Sequence, residues 1–491
     1  MSQNLPLVLE LFAPLFGSRW LARWHQQWQQ QHPAPPPASC RGRPKPAQGT
    51  QGSPAQKPSP PGRFYQRIFS LRVTLWYLIF QRLSADPTMG AVVVDLRHGG
   101  ADRLGRKGRK LSRRVRSTGT SGYNQARQRL PLELLSAALV HLRQALLELV
   151  GLVAQPRKEP GPEQRTRQLL DGSTLAVLVT PRLATAYPPA RNQSGPSDWC
   201  LLRIVVGFCA RSGAVLSAVE GAMQQSEQAL AWTVMAAGAA FTIWIGDRNF
   251  GVWSVVAKAL SCQQDALVRL TGARAAKLCQ GRPLRSGQER WVQWPPSSRD
   301  QAPPGTERLT VSGRLIYVRL RRGAKWIDLW LFTTLDAQDY PLELLVQWYG
   351  QRWQAEVHFR SVKTHLRMAE LHVCSPEMAR KEFYAGLLAY SLVRAVMWQA
   401  GQRWEAGLVV LSFSQARRVL VQHLKQWGQQ LGAGAPWSRA LLAEVAQHRL
   451  PKRRQPRPTE IRRVRHRRLR FPPLRGSRAA ARARDLKTKS A

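Results

Sequence analysis

The sequence has few acidic residues: 29 Asp and Glu stand against 74 Lys and Arg, giving a formal net charge of +45. Such an excess favours a polyanionic partner, because each Lys or Arg placed on a phosphate releases condensed counterions. Long apolar runs are also missing. The best one, LLRIVVGFCA at 201–210, is strand-sized and contains Arg203. No window approaches the roughly 18 uncharged apolar residues that a spanning helix needs, so we predict no membrane segment.

Paired cysteines and a secretion signal are missing as well. The six cysteines include no C-x-x-C pair and no Cys/His spacing typical of zinc sites, which favours free thiols in a reducing cytosol. At the N-terminus no Lys or Arg precedes the apolar run, Glu10 interrupts it, and no small-residue cleavage site follows. We therefore predict a cytoplasmic protein whose NQS triplet at Asn192 is not glycosylated.

Composition divides the chain into segments. Residues 1–31 predict one amphipathic helix, and residues 32–62 form a Pro/Gly/Ser linker that cannot bury a core. Residues 63–160 have a helical pattern interrupted by a basic, glycine-rich loop, which suits a small DNA-binding domain. The last 41 residues, from Pro451, contain 16 Lys and Arg but two Asp and Glu. They predict a disordered basic tail that binds phosphate nonspecifically.

The middle of the chain alternates between strand and helix patterns. Five apolar runs are interpreted as strands: 173–179, 201–208, 214–220, 240–246 and 266–272. Segments 225–238 and 251–261 fit helices, which gives the order three strands, helix, strand, helix, strand. Residues 273–340 add further β-like segments before another helix begins. This order predicts a mixed α/β domain.

Residues 344–366 predict a helix that carries one acid among cations. At 100° per residue its apolar stripe consists of Leu344, Trp348, Ala355, Phe359, Val362 and Leu366. Tyr349, Arg352, Glu356 and Lys363 share a strip about 60° wide beside that stripe. In this position the Glu356 carboxylate would be held rigidly and could bind a metal ion. Glu356 also lies four residues from Arg352 and from Arg360, so ordinary surface ion pairs are the alternative interpretation.

Two aspartates next to predicted strands help to choose between these interpretations. Asp171 stands at the start of the first run and Asp247 directly after the fourth. Either one alone fits a turn or a helix cap. If the first and fourth strands are neighbours, however, both acids converge and the later helix can place Glu356 beside them. Three converging carboxylates predict two Mg²⁺ ions, about 3.5–4 Å apart, as in phosphoryl transfer.

The spacing of four of these residues resembles a known signature. Tyr349, Arg352, Glu356 and Lys363 are separated by two, three and six residues, like the YREK signature of bacterial insertion-sequence transposases with a DDE triad. More specifically, the sequence resembles insertion sequence family four. Further similar stretches are LLDGST around Asp171, GDRNF around Asp247, ARQRLP at 126–131, and TTLDAQDYPLELLVQWYGQRW before the helix. The resemblance covers roughly residues 64–471.

The resemblance implies a fold and an activity. It implies an RNase H-like catalytic domain that uses two Mg²⁺ or Mn²⁺ ions, bound by Asp171, Asp247 and Glu356. Nicking at the transposon end would be followed by attack of the freed 3′-hydroxyl on target DNA. Tyr349, Arg352 and Lys363 would contact phosphates at the terminal inverted repeat. Synapsis of two ends implies a homodimer on DNA, associated with the bacterial nucleoid.

The resemblance also completes the predicted organisation. Residues 161–272 form the first part of the catalytic core, 273–340 a β-rich insertion, and 341–450 the Glu-bearing helix with C-terminal helices. In some relatives an insertion tryptophan stacks on a flipped base. The tryptophans available for this are Trp291, Trp294, Trp326 and Trp330, for each of which core packing is the alternative. The proline-rich linker and the long basic tail depart from the family pattern.

Two other functions fit the same residues. A non-catalytic DNA-binding protein, either a decayed transposase or a repressor, would use the basic segments equally well. It would not need the carboxylates at 171, 247 and 356. An RNase H-like nuclease or resolvase would share those carboxylates and differ only in its products.

Overall fold

A computed structural model describes the greater part of the chain. The ranges described are 18–32, 68–105, 109–189, 191–192, 195–196, 199–307, 309–322, 325–404, 410–429, 435–451, 477, 479–480 and 483. The linker predicted at 32–62 and nearly all of the basic tail predicted at 451–491 lie outside these ranges.

Helices and strands alternate through the central part of the chain and helices dominate both ends. The α-helices are α1 (Ser18–Gln31), α2 (Leu71–Leu83), α3 (Met89–Arg97), α4 (Ser121–Arg129), α5 (Leu132–Leu149), α6 (Pro181–Ala186), α7 (Glu227–Ala236), α8 (Trp253–Ser261), α9 (Gly272–Cys279), α10 (Leu342–Gly350), α11 (Gln354–Arg360), α12 (Pro376–Arg403), α13 (Phe413–Gln429) and α14 (Ala435–Gln447). The strands are β1 (Arg167–Val177), β2 (Arg191–Asn192), β3 (Gly195–Pro196), β4 (Cys200–Cys209), β5 (Val215–Ala222), β6 (Ile243–Gly246), β7 (Asp265–Arg269), β8 (Gln288–Trp294), β9 (Val311–Arg322), β10 (Lys325–Thr333) and β11 (Glu370–Leu371).

One mixed sheet forms the centre of the fold, in the order β5-β4-β1-β6-β7-β10-β9-β8. Strands β1, β4 and β5 are antiparallel, whereas β6 and β7 run parallel to β1. The predicted alternation of strands and helices is observed, and the mixed α/β class is confirmed. Apolar side chains alternate between the two faces, as Ile243 and Ile245 do with Trp244, so that helices cover both.

A gap in the pairing of β1 sits at the middle of the sheet. On one side β1 pairs with β6 only up to Leu170, and β11 begins to pair only at Ala176. Helix α11 packs against β1. The strand begins earlier than predicted, because Gln168, Leu169 and Leu170 are buried in the sheet, and Asp171 is therefore its fifth residue rather than its start.

The β-like segments after residue 272 continue this sheet. Strand β10 pairs antiparallel with β7, opposite Leu267, Val268 and Arg269, and β9 and β8 follow outward. The side chains of Leu331 and Phe332 enter the cores on the two faces of the sheet. The segment predicted as an insertion thus extends the sheet to which β1 and β6 belong.

Helix α12 links the N-terminal helices to the sheet. It begins at Pro376 after the Ser375 cap, whose hydroxyl accepts from the Met378 N–H, and it is buried on nearly all sides. It packs against α2, α5, α13 and α14. Within the described ranges no single helix is long and apolar enough to cross a membrane; α4 and α5 together reach that length but meet at 72°.

Glu382 ties α12 to two N-terminal helices, and its replacement should strongly destabilise the protein. Its buried carboxylate forms an ion pair with Arg82, whose Nε lies 2.8 Å from Glu382 Oε2, and accepts a hydrogen bond from Arg127, which belongs to the ARQRLP stretch. Removing it leaves two buried cations unpaired, so we expect Glu382→Ala to cost about 3–5 kcal/mol in the free energy of unfolding. Urea denaturation of the full chain measures this.

The exposed Glu343 supplies the matched control. Glu343→Ala should change the free energy of unfolding by less than about 0.5 kcal/mol. A Glu382→Ala protein within about 1 kcal/mol of wild type would contradict the stabilising role of this ion-pair cluster.

Candidate active site

Asp171 and Asp247 lie side by side on neighbouring parallel strands. The last β1–β6 pair is Leu170 with Gly246, and each aspartate is the next residue along the chain. Strand alternation turns both side chains to the face that α10 and α11 cover. The Gly172 N–H donates to Asp171 Oδ1 at 2.9 Å, and the Asn249 N–H donates to Asp247 Oδ1 at 2.8 Å. Backbone donors therefore hold one oxygen of each carboxylate.

Arg352 connects Glu356 to this pair. One end of its guanidinium lies 3.7 Å from Asp171 Oδ2, and the other donates to Glu356 Oε1 at 2.9 Å. The side chains of Arg352 and Asp171 are 16% exposed, whereas that of Glu356 is 68% exposed. The i,i+4 ion pair considered as the alternative for Glu356 is present. Because Arg352 also reaches Asp171, this ion pair belongs to the same cluster as the two aspartates.

The pKa of Asp171 is raised by its position in this cluster. Burial raises its pKa to about 6 from the ordinary 3.8. The Gly172 N–H and Arg352 oppose the rise, while the charges of Asp247 and Glu356 add to it. The three predicted carboxylates therefore act on one another electrostatically, although they are far apart in the sequence.

Tyr349 lies at the edge of the cluster beside two arginines. Burial raises its pKa above the ordinary value, and Arg352 and Arg269 act in the opposite direction. Arg269 follows Val268, the partner of Gly246 across β6 and β7. Asp171, Asp247 and Arg269 are thus consecutive across three parallel strands, with the cation at one end of the row.

The predicted continuous helix around Glu356 changes pitch several times. After α10 comes a 3₁₀ turn (Gln351–Trp353), then α11, then a π-helical turn (Ser361–His365). The predicted apolar stripe is buried except for Leu344, which is partly exposed. Lys363 lies within the π turn, where burial lowers its pKa. In the described part of the chain, no ion pair joins Lys363 to the three acids.

The ligand types of this cluster suit divalent ions, but the distances between its carboxylates do not form a closed metal site. In the ranges described, no three or more Asp, Glu, His or Cys side chains lie close enough to hold a metal ion. The Arg352 guanidinium is instead the cation between Asp171 and Glu356. The acids offer oxygen ligands only, which suit Mg²⁺ and Mn²⁺, and their mutual repulsion favours a cation. An ion bound by all three acids requires Arg352 to release Asp171 and Glu356.

Two of the four predicted tryptophans are accessible. Trp294 is buried against Phe332, and Trp330 stacks on Tyr317 with ring centroids 4.2 Å apart. Trp291 and Trp326 are more than half exposed. Core packing is therefore the role of Trp294, and Trp291 and Trp326 stay candidates for contact with a base.

Three residues near the cluster were missed in the sequence. Arg269 ends an apolar run, Asn249 belongs to the GDRNF stretch, and Glu227 opens a helix between the third and fourth core strands. Each of these patterns is common in helix caps and strand ends. The strand order predicts that Arg269 lies near Asp247. No pattern in the sequence predicts the same for Asn249 or Glu227.

Residues 164–392, which include this acidic cluster, match the family model described as transposase DDE domain. The resemblance to insertion sequence family four is confirmed. The chain is similar to the transposase InsG for insertion sequence element IS4 of Escherichia coli (strain K12), with 25% identity over 287 residues. The match covers 56% of this chain and 61% of that protein.

Proposed function

We propose that the chain is an insertion-sequence transposase that cuts DNA at the transposon ends and joins them to target DNA. The observation that supports this most directly is the pair of Asp171, within β1, and Asp247, directly after the neighbouring parallel strand β6, with Glu356 tied to Asp171 through Arg352. The strand order β5-β4-β1-β6-β7 supports an RNase H-like core. The row belongs to the matched transposase domain.

Asp171, Asp247 and Glu356 are the residues that would hold the divalent ions. Two such ions, Mg²⁺ or Mn²⁺, stabilise charge on the attacking and leaving oxygens of a phosphoryl displacement. The protein itself orients the carboxylates through the N–H groups of Gly172 and Asn249. The side chain of Asp171 is 16% exposed, which limits access of water to this carboxylate.

The cations around the acids would grip the DNA. Arg352 presents a planar fork that matches a phosphate, and Lys363 supplies a point charge without an ion pair to the acids. Tyr349 stands beside Arg352, so its hydroxyl can reach the same phosphate group. The net charge of +45 supports further contacts to terminal repeats and target DNA, and a homodimer would bring two ends together.

The helices at 68–149 and the basic loop between them are a second proposed contact with DNA. Asp102 fixes this loop, because both of its oxygens accept from Ser112 at 2.7 Å. The neighbouring Arg109, Lys110 and Arg113 are exposed. Exposed cations in the described part of this loop suit the phosphate backbone, which would place the protein on the nucleoid.

End cleavage tests this proposal. The purified full chain is incubated with a labelled duplex carrying the element's terminal inverted repeat, a target plasmid, and Mg²⁺ or Mn²⁺. We expect cleavage at the repeat boundary and joined products, and neither with EDTA or a scrambled repeat. Binding without cleavage would favour the non-catalytic DNA-binding protein. Cleavage without joining would favour a nuclease.

A further inference from the structure

A fourth acid, Glu227, lies next to the two aspartates but on the other face of the sheet. It occupies the first turn of α7, which begins at the Ser226 cap, where Ser226 Oγ accepts from the Ala229 N–H at 3.1 Å. Helix α7 belongs to the layer opposite α10 and α11. Glu227 therefore approaches β1 and β6 from behind the carboxylate cluster.

Hydrogen bonds connect Glu227 to Asp247 through one residue. The Asn249 side-chain amide donates to Glu227 Oε2 at 2.5 Å, and the Asn249 backbone N–H donates to Asp247 Oδ1 at 2.8 Å. The neighbouring Gln228 donates to Asn249 Oδ1 at 2.8 Å and to its carbonyl oxygen at 2.9 Å. Helix α7 thus holds both polar groups of the Asn249 side chain, and Asn249 in turn holds Asp247.

Gly172 leaves the space that Glu227 fills. A Cβ at residue 172 would lie 2.5 Å from the carboxyl carbon of Glu227 and 2.7 Å from each of its oxygens, closer than real Cβ contacts allow. The backbone of Gly172 is not left-handed, so glycine is required here for space rather than for conformation. The same residue donates its N–H to Asp171. Glu227 therefore packs directly against the peptide that orients the first aspartate.

This location suits support of the aspartates better than binding an ion with them. Asp171 and Asp247 face α10 and α11, whereas Gly172, the next residue of β1, faces the opposite side, where Glu227 lies. The bond from Asn249 needs an acceptor oxygen at residue 227, which a neutral amide also provides. If Glu227 were instead a metal ligand, its negative charge would be needed and a neutral amide would not replace it.

We propose that Glu227 is a positioning residue that holds Asp247 through Asn249, and that Gly172 is a glycine in order to admit it. The proposal rests on the proposed function, since it assigns Asp247 to the catalytic cluster. It goes beyond the three acids of the DDE triad, because it adds a support on a separate helix behind the sheet.

Two substitutions of Glu227 separate support from charge. Glu227→Gln keeps an acceptor for Asn249 and should leave single-turnover end cleavage within about 3-fold of wild type. Glu227→Ala removes the acceptor for Asn249 and should slow cleavage about 10- to 100-fold, since a small misplacement of the Asp247 carboxylate has an effect of this size. Affinity for the DNA end should be unchanged in both. Gly172→Ala should slow cleavage as much as Glu227→Ala does, because the added methyl group displaces the Glu227 carboxylate. Glu343→Gln, at an exposed position, is the control.

Two further measurements do not depend on cleavage. Mn²⁺ titration by calorimetry should give weaker binding to Glu227→Ala and Gly172→Ala than to wild type and Glu227→Gln. The unfolding temperatures of Glu227→Ala, Asn249→Ala and the double variant should be non-additive, because the two side chains share one hydrogen bond.

The outcomes distinguish this proposal from the proposed function. If the wild type does not cleave, the proposed function fails, while the metal titration and the unfolding cycle still test Glu227. If Glu227→Gln is as impaired as Glu227→Ala, its charge is what matters and the positioning role is overturned. Wild-type cleavage by Glu227→Ala, or additive unfolding temperatures, would overturn it too. If Glu227→Ala does not fold, Gly172→Ala and Asn249→Ala carry the same test.

Discussion

Replacing Asp171 by asparagine should abolish DNA cleavage and at the same time stabilise the folded protein at pH 7.5. Loss of activity is expected because asparagine is a neutral, weaker ligand at the centre of the acidic cluster. Losing a metal-binding carboxylate should slow cleavage by about 10³-fold or more, which corresponds to about 4 kcal/mol in the activation barrier. Asp247→Asn and Glu356→Gln should be similarly inactive.

The gain in stability follows from the pKa of Asp171. Burial and the neighbouring acids raise it to about 6, above the 3.8 of an ordinary aspartate. A carboxyl whose pKa is higher in the folded state than in the unfolded state costs stability when ionised. The cost is fully present above pH 6, decreases as the pH falls towards 4, and is absent below that value. For metal-free Asp171→Asn we expect a gain on the order of 2 kcal/mol at pH 7.5.

Thermal unfolding in EDTA at pH 7.5 and at pH 4, beside the cleavage assay, measures both effects. The exposed Asp339→Asn is the control and should change neither cleavage nor stability. Full activity of Asp171→Asn would refute its place in the catalytic cluster. A variant less stable than wild type at pH 7.5 would contradict the electrostatic interpretation.

Arg352→Ala should weaken binding to the terminal repeat by about 10- to 100-fold while reducing affinity for random DNA by less than about 3-fold. Arg352 lies at the acidic cluster, beside Asp171 and Glu356, so we expect it to contact one phosphate of the DNA end bound there. A charge-assisted hydrogen bond of this kind contributes about 1.5–3 kcal/mol. Random DNA can bind many other cations of a chain with 74 Lys and Arg, so its affinity should depend little on Arg352.

Arg360→Ala is the matched control for this prediction, because Arg360 is an exposed arginine on the same helix as Glu356. It should lower the affinity for both DNAs slightly and equally. Arg352→Lys should resemble Arg352→Ala, since lysine lacks the planar fork. Fluorescence anisotropy with the two duplexes at one salt concentration measures the ratio. Equal losses on both DNAs for Arg352→Ala would contradict a specific role at the transposon end.

The sequence predicted those parts of the fold that depend on local pattern. Apolar runs located the core strands, whereas the approach of Asp171 to Asp247 depended on the first and fourth strands being neighbours, which the pairing of β1 with β6 shows. Glu356 could be assigned only with the help of the signature spacing, because its charge pattern equally fits a surface ion pair. That ion pair is present, and Arg352 extends it to Asp171, which no pattern of one helix can reveal.

The features that were missed depend on contacts between distant segments. Glu227 looks like an ordinary acid in a first helical turn until Gly172 packs against it. The 3₁₀ and π turns between Tyr349 and His365 were missed because a period of 100° per residue assumes an uninterrupted α-helix. The pairing of β10 with β7 joins segments about 60 residues apart, and apolar periodicity does not specify partners.

The pairing of β10 with β7 also limits how the protein can be shortened. A minimal catalytic fragment that omits residues 273–340 would leave the backbone of β7 without its neighbour and uncover Val268 and Leu267. An unprotected apolar strand edge recruits other chains and promotes aggregation. Shortened variants of this protein should therefore keep β9 and β10, the hairpin that pairs with β7.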